Sequence, residues 1–472
     1  FAETEIDKPQ INLSRFPIKY PEKRDFFLQD AGIFNFGRNS GRRRGPSPSG
    51  RSSEPIPFFS RTVGLDPDRR PRPILAAAKV TGRIGKYNIG LLDAFVDDYN
   101  ELPGSNVFAG RVSRNILEQS SVGIIATHGD PNSGNDDFLA GTDLGLRTSD
   151  FLGGQVLQAN LWILNNWAGN EETDSLPADD EDEGANPPAE EEYTDDRLSF
   201  GGNIEFPNDL YSAGLQFFQV GKDFDPALAF VPRKGVRAYI SEFSYKPRPR
   251  DFYNFRQFRF YYSNTFLTDL NDELVSANHS LYPMYFELNS GDRFWSKASY
   301  EHEALDEPYL ASGSEEEGIE IPIGGYWWPS YTVGIDTSSK RLVEFELSYG
   351  FGGYYDGDRS SWQTEIAVRP SKHFSVRAEY ELHSISLPQG DFKERLASIK
   401  TRFSLSPQLN WSNLLLYENE DEKLGFQSRV HWEYEPGSNM YLVLNQGINR
   451  NHGRLAWTES NLAFKIGLSL RF

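Results

Sequence analysis

The end of the chain constrains the fold more than any other stretch. Leu462, Phe464, Ile466, Leu468, Leu470 and Phe472 alternate with Ala463, Lys465, Gly467, Ser469 and Arg471, so an apolar side and a polar side repeat every second residue. Successive strand side chains point to opposite faces, and such a segment offers one face to lipid or a dry core and the other to water. The pattern recurs upstream. Phe374, Val376, Ala378, Tyr380 and Leu382 oppose Ser375, Arg377, Glu379, Glu381 and His383. Val343, Phe345, Leu347, Tyr349 and Phe351 oppose Glu344, Glu346 and Ser348; Leu424, Phe426, Val430, Trp432 and Tyr434 oppose Gly425, Gln427, Arg429, His431 and Glu433. Each run has the length of about nine to eleven residues that a tilted strand needs to cross a bilayer.

No stretch of the 472 residues approaches the run of about 18 uncharged apolar residues that a spanning helix requires. A closed barrel is the remaining way to cross a membrane, because it satisfies every backbone polar group internally. The mean hydropathy of -0.57 fits that option, since half of each strand would face a wet lumen. The alternative is a large soluble β-sandwich or propeller with the apolar face as core. Trp411, Trp432, Tyr434, Tyr441 and Trp457 cluster near strand ends as membrane girdles do, which favours the barrel. Two segments are ambiguous: Leu414 to Leu416 is a run of leucines, and Val236 to Tyr245 has no clean polar face. The chain lacks cysteine, so disulfides and thiolate metal sites play no part, and the net charge of -20 argues against a nucleic-acid partner.

From about residue 57 onward, tight connections alternate with long ones. Short turns fall near Gly85, Glu118, Ser338, Pro370, Ser406 and Glu435; long loops are expected over 97–105, 169–196, 221–235, 303–325, 386–394 and 449–458. In bacterial barrels the short turns are periplasmic and the long loops external. Counting with that parity gives a first strand near Phe58 to Leu65 and an all-β transmembrane antiparallel barrel of about 22 strands (range about 20–24) over residues 57–472. Residues 1–56 read as a periplasmic linker or a plug tucked into the lumen, and Phe1 reads as a processed or truncated start, since no signal peptide opens the chain.

Several blocks also carry a resemblance. Pro21-Glu-Lys-Arg-Asp-Phe-Phe27, Phe59-Ser-Arg-Thr-Val-Gly64, Ala78-Lys-Val-Thr-Gly-Arg83, Val107 to Arg114 with its two arginines, and Val220-Gly-Lys-Asp-Phe-Asp-Pro226 followed by Phe230-Val-Pro-Arg233 resemble the bacterial barrel domain of unknown function that commonly follows a family-nine carbohydrate-binding-like module. The resemblance implies an outer-membrane barrel and an upstream module of sugar-binding fold. It implies no catalytic residue.

The candidate site residues come from the alternation. Lys79, Arg83, Arg377, Glu379, Glu381, His383, Lys400, Arg402, Arg429 and Glu433 fall on polar strand faces and would line a lumen. Rings of charge there set which solutes pass; equally, opposed charges would pair across the wall and leave a scaffold. The block containing Asp223, Phe224, Asp225, Phe230 and Arg233 is expected to fold into the barrel mouth as a constriction, because an exposed apolar loop is unfavourable. Phe464, Ile466, Leu468, Leu470 and Phe472 are read as the signal for barrel-assembly machinery. The acidic stretches Glu171 to Asp196 and Glu315 to Glu320 read as solvated external loops rather than a Ca²⁺ site, because their spacing fits no known cation loop. The seven histidines show no zinc spacing and no Gly-x-Ser-x-Gly elbow occurs, so neither a metal, a cofactor nor an enzymatic activity is expected.

The expected function is a channel or transporter in the outer membrane of a Gram-negative bacterium, partly plugged by its N-terminal segment. The alternative is a non-conducting anchor or subunit of a surface or secretion assembly. Its surroundings would be outer-membrane lipid, lipopolysaccharide and other surface or periplasmic proteins.

Overall fold

The computed structural model describes residues 8–37, 54–66, 70–99, 102–133, 136–168, 196–313, 318–419, 423–451 and 454–468. The first strands are Ile74–Ile84 (β1), Tyr87–Val96 (β2), Ser105–Ile116 (β3), Ser120–His128 (β4), Asp137–Phe151 (β5), Gln155–Ala168 (β6), Leu198–Pro207 (β7), Tyr211–Val220 (β8) and Val236–Tyr245 (β9). Phe255–Phe258 (β10), Phe260–Asp269 (β11), Leu274–Leu288 (β12), Arg293–Leu305 (β13), Tyr309–Ser312 (β14), Ile319–Ile321 (β15) and Gly324–Asp336 (β16) follow. Val343–Tyr354 (β17), Gly357–Ser371 (β18), Phe374–Leu387 (β19), Gly390–Ser404 (β20), Leu409–Glu418 (β21), Lys423–Glu435 (β22), Ser438–Asn451 (β23) and Arg454–Gly467 (β24) complete the chain. Twenty-two of these form one sheet, with β14 and β15 as a separate hairpin. Every pairing is antiparallel, and the wall runs in sequence order as a membrane-spanning β-barrel fold.

The alternation sets the two faces. Leu91, Ile124, Leu161, Tyr239, Tyr331, Trp362, Ile399, Trp411, Leu442 and Phe464 point outward and are exposed, forming the apolar band. Their strand neighbours point inward. The run at Leu414 to Leu416 resolves the same way: Leu415 is exposed on the outside while Leu416 is buried within. The run from Val236 to Tyr245 lacks a polar face for a physical reason. Tyr239 and Phe243 face outward, while Val236, Ala238 and Ile240 are buried against an apolar cluster inside the barrel.

Three sequence expectations are corrected. Phe58 to Leu65 is no strand; it contains a 3₁₀ turn at Ser60–Thr62 and packs inside, and the wall begins at Ile74. The loops expected over 386–394 and 449–458 are tight instead: Leu387 pairs directly with Gly390, and Asn451 with Arg454. The sheet totals 22 strand segments because β10 and β11, which pair with successive parts of β12 and run in the same direction, are separated only by Arg259 and together make one crossing of the wall. Passing from β1 to β24 the strands alternate in direction, and β1 and β24 both descend toward the short-turn end. Among the described residues no hydrogen-bonded pairing joins these two end strands.

Candidate functional site in the barrel lumen

Residues 8–37 lie inside the curl of the wall and touch it on many sides. Lys8 pairs with Glu379 on β19, Tyr354 on β17 donates to the Leu13 carbonyl, Arg15 reaches β13, Tyr441 on β23 donates to Asp25, and Gly37 N–H donates to Asp143 on β5. A segment contacted from β5, β13, β17, β19 and β23 occupies the lumen.

Its densest anchor is built from two of the blocks that carry the resemblance. Arg24 and Glu22 form a buried ion pair at 2.8 Å. Arg24 also donates to the carbonyls of Val63 and Ser60, both at 2.7 Å, and its guanidinium lies 4.2 Å from the Phe27 ring centroid. The Ser60 hydroxyl donates to Glu22 at 2.6 Å. Burial alone would raise the Glu22 pKa, but the Arg24 bonds and charge, with the Ser60 hydroxyl and the Arg24 backbone N–H, lower it to about 2. Phe27 then enters an apolar cluster with Val63, Leu92, Ala94, Val96, Val107 and Leu228.

A second anchor lies near the long-loop end. Glu303, fully buried on β13, accepts from Arg15 at 3.2 Å and from Arg233 at 3.3 Å, while Arg15 also donates to Asp306 at 2.9 Å. Arg233 covers the Phe16 ring at 4.4 Å. A carboxylate that deep is tolerable only with such partners. The third anchor pairs Arg111 with Asp143 at 2.7 Å; Arg111 also donates to the Asn35 carbonyl at 3.2 Å and lies over Phe36. Gly90 permits the close approach between them, since a Cβ there would stand 2.8 Å from Ile33 and 3.0 Å from Phe34.

The expected constriction loop folds into the mouth and packs on this segment. Phe224 is fully buried, which stabilises the loop by about 2 kcal/mol. Phe230 packs against Phe59 with tilted rings at 5.2 Å and bridges to Ile56, Asp223 accepts from the Asp196 N–H at 3.0 Å, and Asp225 pairs with Lys234 at 2.8 Å on the surface. A buried Arg72 ties the neighbouring loops together by donating to the carbonyls of Asp97, Leu102, Pro103 and Pro131.

The charges read as lumen-lining divide into two groups. On the β1 side Lys79 is engaged by the N-terminal segment, donating to the carbonyls of Phe26 and Gln29, and Arg83 caps its own turn at Gly85. On the β18 to β22 side the inner-wall charges are partly exposed, although His383 is buried. Arg377 pairs with Glu365, and Glu379 accepts from Lys8 and from Ser398. Glu381 joins His383 and Gln363, both at 2.8 Å. Lys400 and Arg402 are exposed, while Arg429 covers Tyr441 at 5.0 Å and Glu433 accepts from the Gly437 N–H of its turn. Phe464, Ile466 and Leu468 are exposed on the exterior; Leu470, Phe472, the stretch 171–195 and residues 315–317 lie outside the described residues.

Sequence reading passed over Arg15, Glu22, Arg24, Asp143 and Glu303 as site residues. The signal available for two of them was their place in the Pro21 to Phe27 block.

The fold and its interior define a membrane-spanning antiparallel β-barrel whose lumen holds its own N-terminal segment. Residues 1–106, which contain three of the blocks that meet there, match the model of a family described as Domain of unknown function (DUF5916). No curated protein matches the chain. Among solved structures the chain is similar to one in the structure of the FpvAI-pyocin S2 complex, at 10% identity and a TM-score of 0.44, covering 82% of this chain and 70% of that one. It is also similar to the copper transporter OprC, at 9% identity and a TM-score of 0.39, covering 83% of this chain and 72% of that one.

Proposed function

We propose that this protein is an outer-membrane conduit for a polar solute or polymer, delivered to the membrane by barrel-assembly machinery and held partly shut by residues 8–37. The observation that carries the reading is the asymmetry of the lumen. Over β2 to β9 the inner wall is buried beneath the segment and the Val220 to Gly235 connection, with two apolar clusters and paired or amide-bearing polar groups such as Arg111, Asp143, Gln158 and Asn160 among them. Over β18 to β20 the inner wall carries Glu365, Arg377, Glu379, Lys400 and Arg402, which are partly or fully exposed. A purely structural filler would have no use for a water-facing charged strip, whereas a pathway needs one to compensate the dehydration of a polar solute. Anchoring by ion pairs also allows displacement, because each carboxylate and guanidinium regains water when it separates.

Planar-bilayer conductance of the full chain and of a chain lacking residues 1–53 tests this. The expected result is small or intermittent conductance that becomes large and stable on truncation. Silence from both proteins, each shown to be inserted and folded, would overturn the conduit and leave the barrel as a membrane anchor for partner proteins.

A further inference from the structure

The short-turn end of the barrel carries one connection unlike the others. The other connections at that end take two to six residues, as at Gly85 and Lys86 or Asn289 to Asp292, but β9 returns to β11 through residues 246–259. In a chain of net charge -20 this segment holds Lys246, Arg248, Arg250, Arg256 and Arg259 against the single acid Asp251. It is ordered by the short strand β10, by Phe258 N–H donating to Pro247 at 3.0 Å and by Asn289 N–H donating to Asn254 at 2.8 Å.

The cations flank aromatic rings. Phe252, Phe255, Phe258 and Phe286 form a contiguous group with centroids 5.1 to 6.0 Å apart. Phe286 pairs with the outward-facing Phe294, so the group sits on the lipid side of the rim. It continues toward the stacked Tyr211, Tyr245 and Phe260. Asp251 and Tyr253 both take left-handed backbone, at φ 54 and φ 48, a cost of about 1 kcal/mol each for non-glycine residues. That turn leaves Tyr253 at 85% exposure and Phe252 at 46%. Two large rings held outward by a strained turn beside the exposed Arg248, Arg250 and Arg256 match the chemistry of a bilayer interface, where rings lie at headgroup depth and guanidinium groups meet phosphate, whereas Arg259 lies over Tyr261 and Tyr285.

We propose that residues 246–259 form a docking surface for anionic phospholipid headgroups in the leaflet at the short-turn end. Arg248 and Arg256 already rest on Asp209 and Glu287, which orients them along the rim, and exposed Arg250 makes no hydrogen bond or ion pair among the described residues. The inference rests on the membrane-spanning fold and is independent of conduction.

The test reconstitutes the full chain in nanodiscs of phosphatidylcholine with a minor fraction of phosphatidylglycerol, and measures by native mass spectrometry which lipids stay on the released protein. Phosphatidylglycerol is expected to be retained well above its bulk share. At about 1 kcal/mol per basic side chain, R248A/R250A/R256A together should lower that retention about 100-fold. K372A, an exposed charge in a different turn of the same rim, should leave it unchanged. Retention at the bulk ratio by the wild type, undiminished retention by the triple variant, or an equal loss in K372A would overturn the proposal. Failure to insert into any nanodisc would instead strike at the membrane-spanning reading.

Discussion

Tyr441 donates its phenol hydrogen to Asp25 at 3.0 Å, joining residues separated by 416 positions in sequence. Asp25 opens the four-residue helix Asp25–Leu28, and the next residue, Phe26, accepts from Lys79 on the first wall strand. One turn of helix therefore spans the inside of the sheet between β23 and β1, the place where its two ends approach. Within the conduit reading this is where the plug also steadies the wall.

Replacing Tyr441 with Phe removes that bond and keeps the ring beneath Arg429 and Lys465. The expected loss is about 1 kcal/mol. Hydrogen exchange at the Phe27, Leu28 and Gln29 amides, which donate to the Arg24 and Asp25 carbonyls, should then be about fivefold faster than in the parent. Equal rates would show that the helix is held by other contacts.

Glu303 is the partner of two arginines at 1% side-chain exposure. Changing it to Ala leaves both cations without their carboxylate, and breaking a buried pair in this way costs about 3 kcal/mol or more. Hydrogen exchange over residues 8–20 and 226–236 should rise together, because Arg15 and Arg233 belong to those segments. An increase confined to one of them would separate the plug from the loop.

Glu22 gives the plug a pH dependence of known sign. Its carboxyl pKa is lowered in the fold to about 2, so its contribution is complete above its ordinary value near 4.5 and is lost as pH falls from there through about 2. Protonation removes up to about 3 kcal/mol from the Glu22, Arg24 and Ser60 anchor. Hydrogen exchange or maleimide labelling of residues 22–29 should accelerate across that window. In E22Q the anchor should be loose already at neutral pH and the acid step should vanish; a persisting step would assign it elsewhere.

Arg377 and Glu365 pair on the inner face of the wall and are both partly exposed. If that strip is the pathway, R377E reverses one charge and places it beside Glu365 and Glu379, turning the local field acidic. Reversal potentials under a salt gradient should move toward cation selectivity in the chain lacking residues 1–53. The same substitution without any shift would place the current path elsewhere.

The period-two pattern settled the wall on its own, because a strand has only two faces and each residue must choose between lipid and lumen. The exposed Val343, Tyr380, Trp432, Phe464 and Ile466 lie on the outside, on the apolar face that alternation assigned them. What alternation cannot carry is which side-chain partners meet inside. Glu22 and Ser60 have no spacing signature, and they meet only because residues 8–37 fold back against residues 54–66 inside a curled sheet. The same limit explains the false first strand at Phe58 to Leu65: its apolar residues are buried against the plug and loop rather than against lipid, and a one-dimensional pattern does not distinguish those surroundings. The sequence by itself determined the barrel, its faces and the apolar character of the mouth loop. The tertiary structure decided that the mouth loop, the N-terminal segment and one half of the wall form a common core, because contacts between distant segments depend on the curl of the sheet and not on local periodicity.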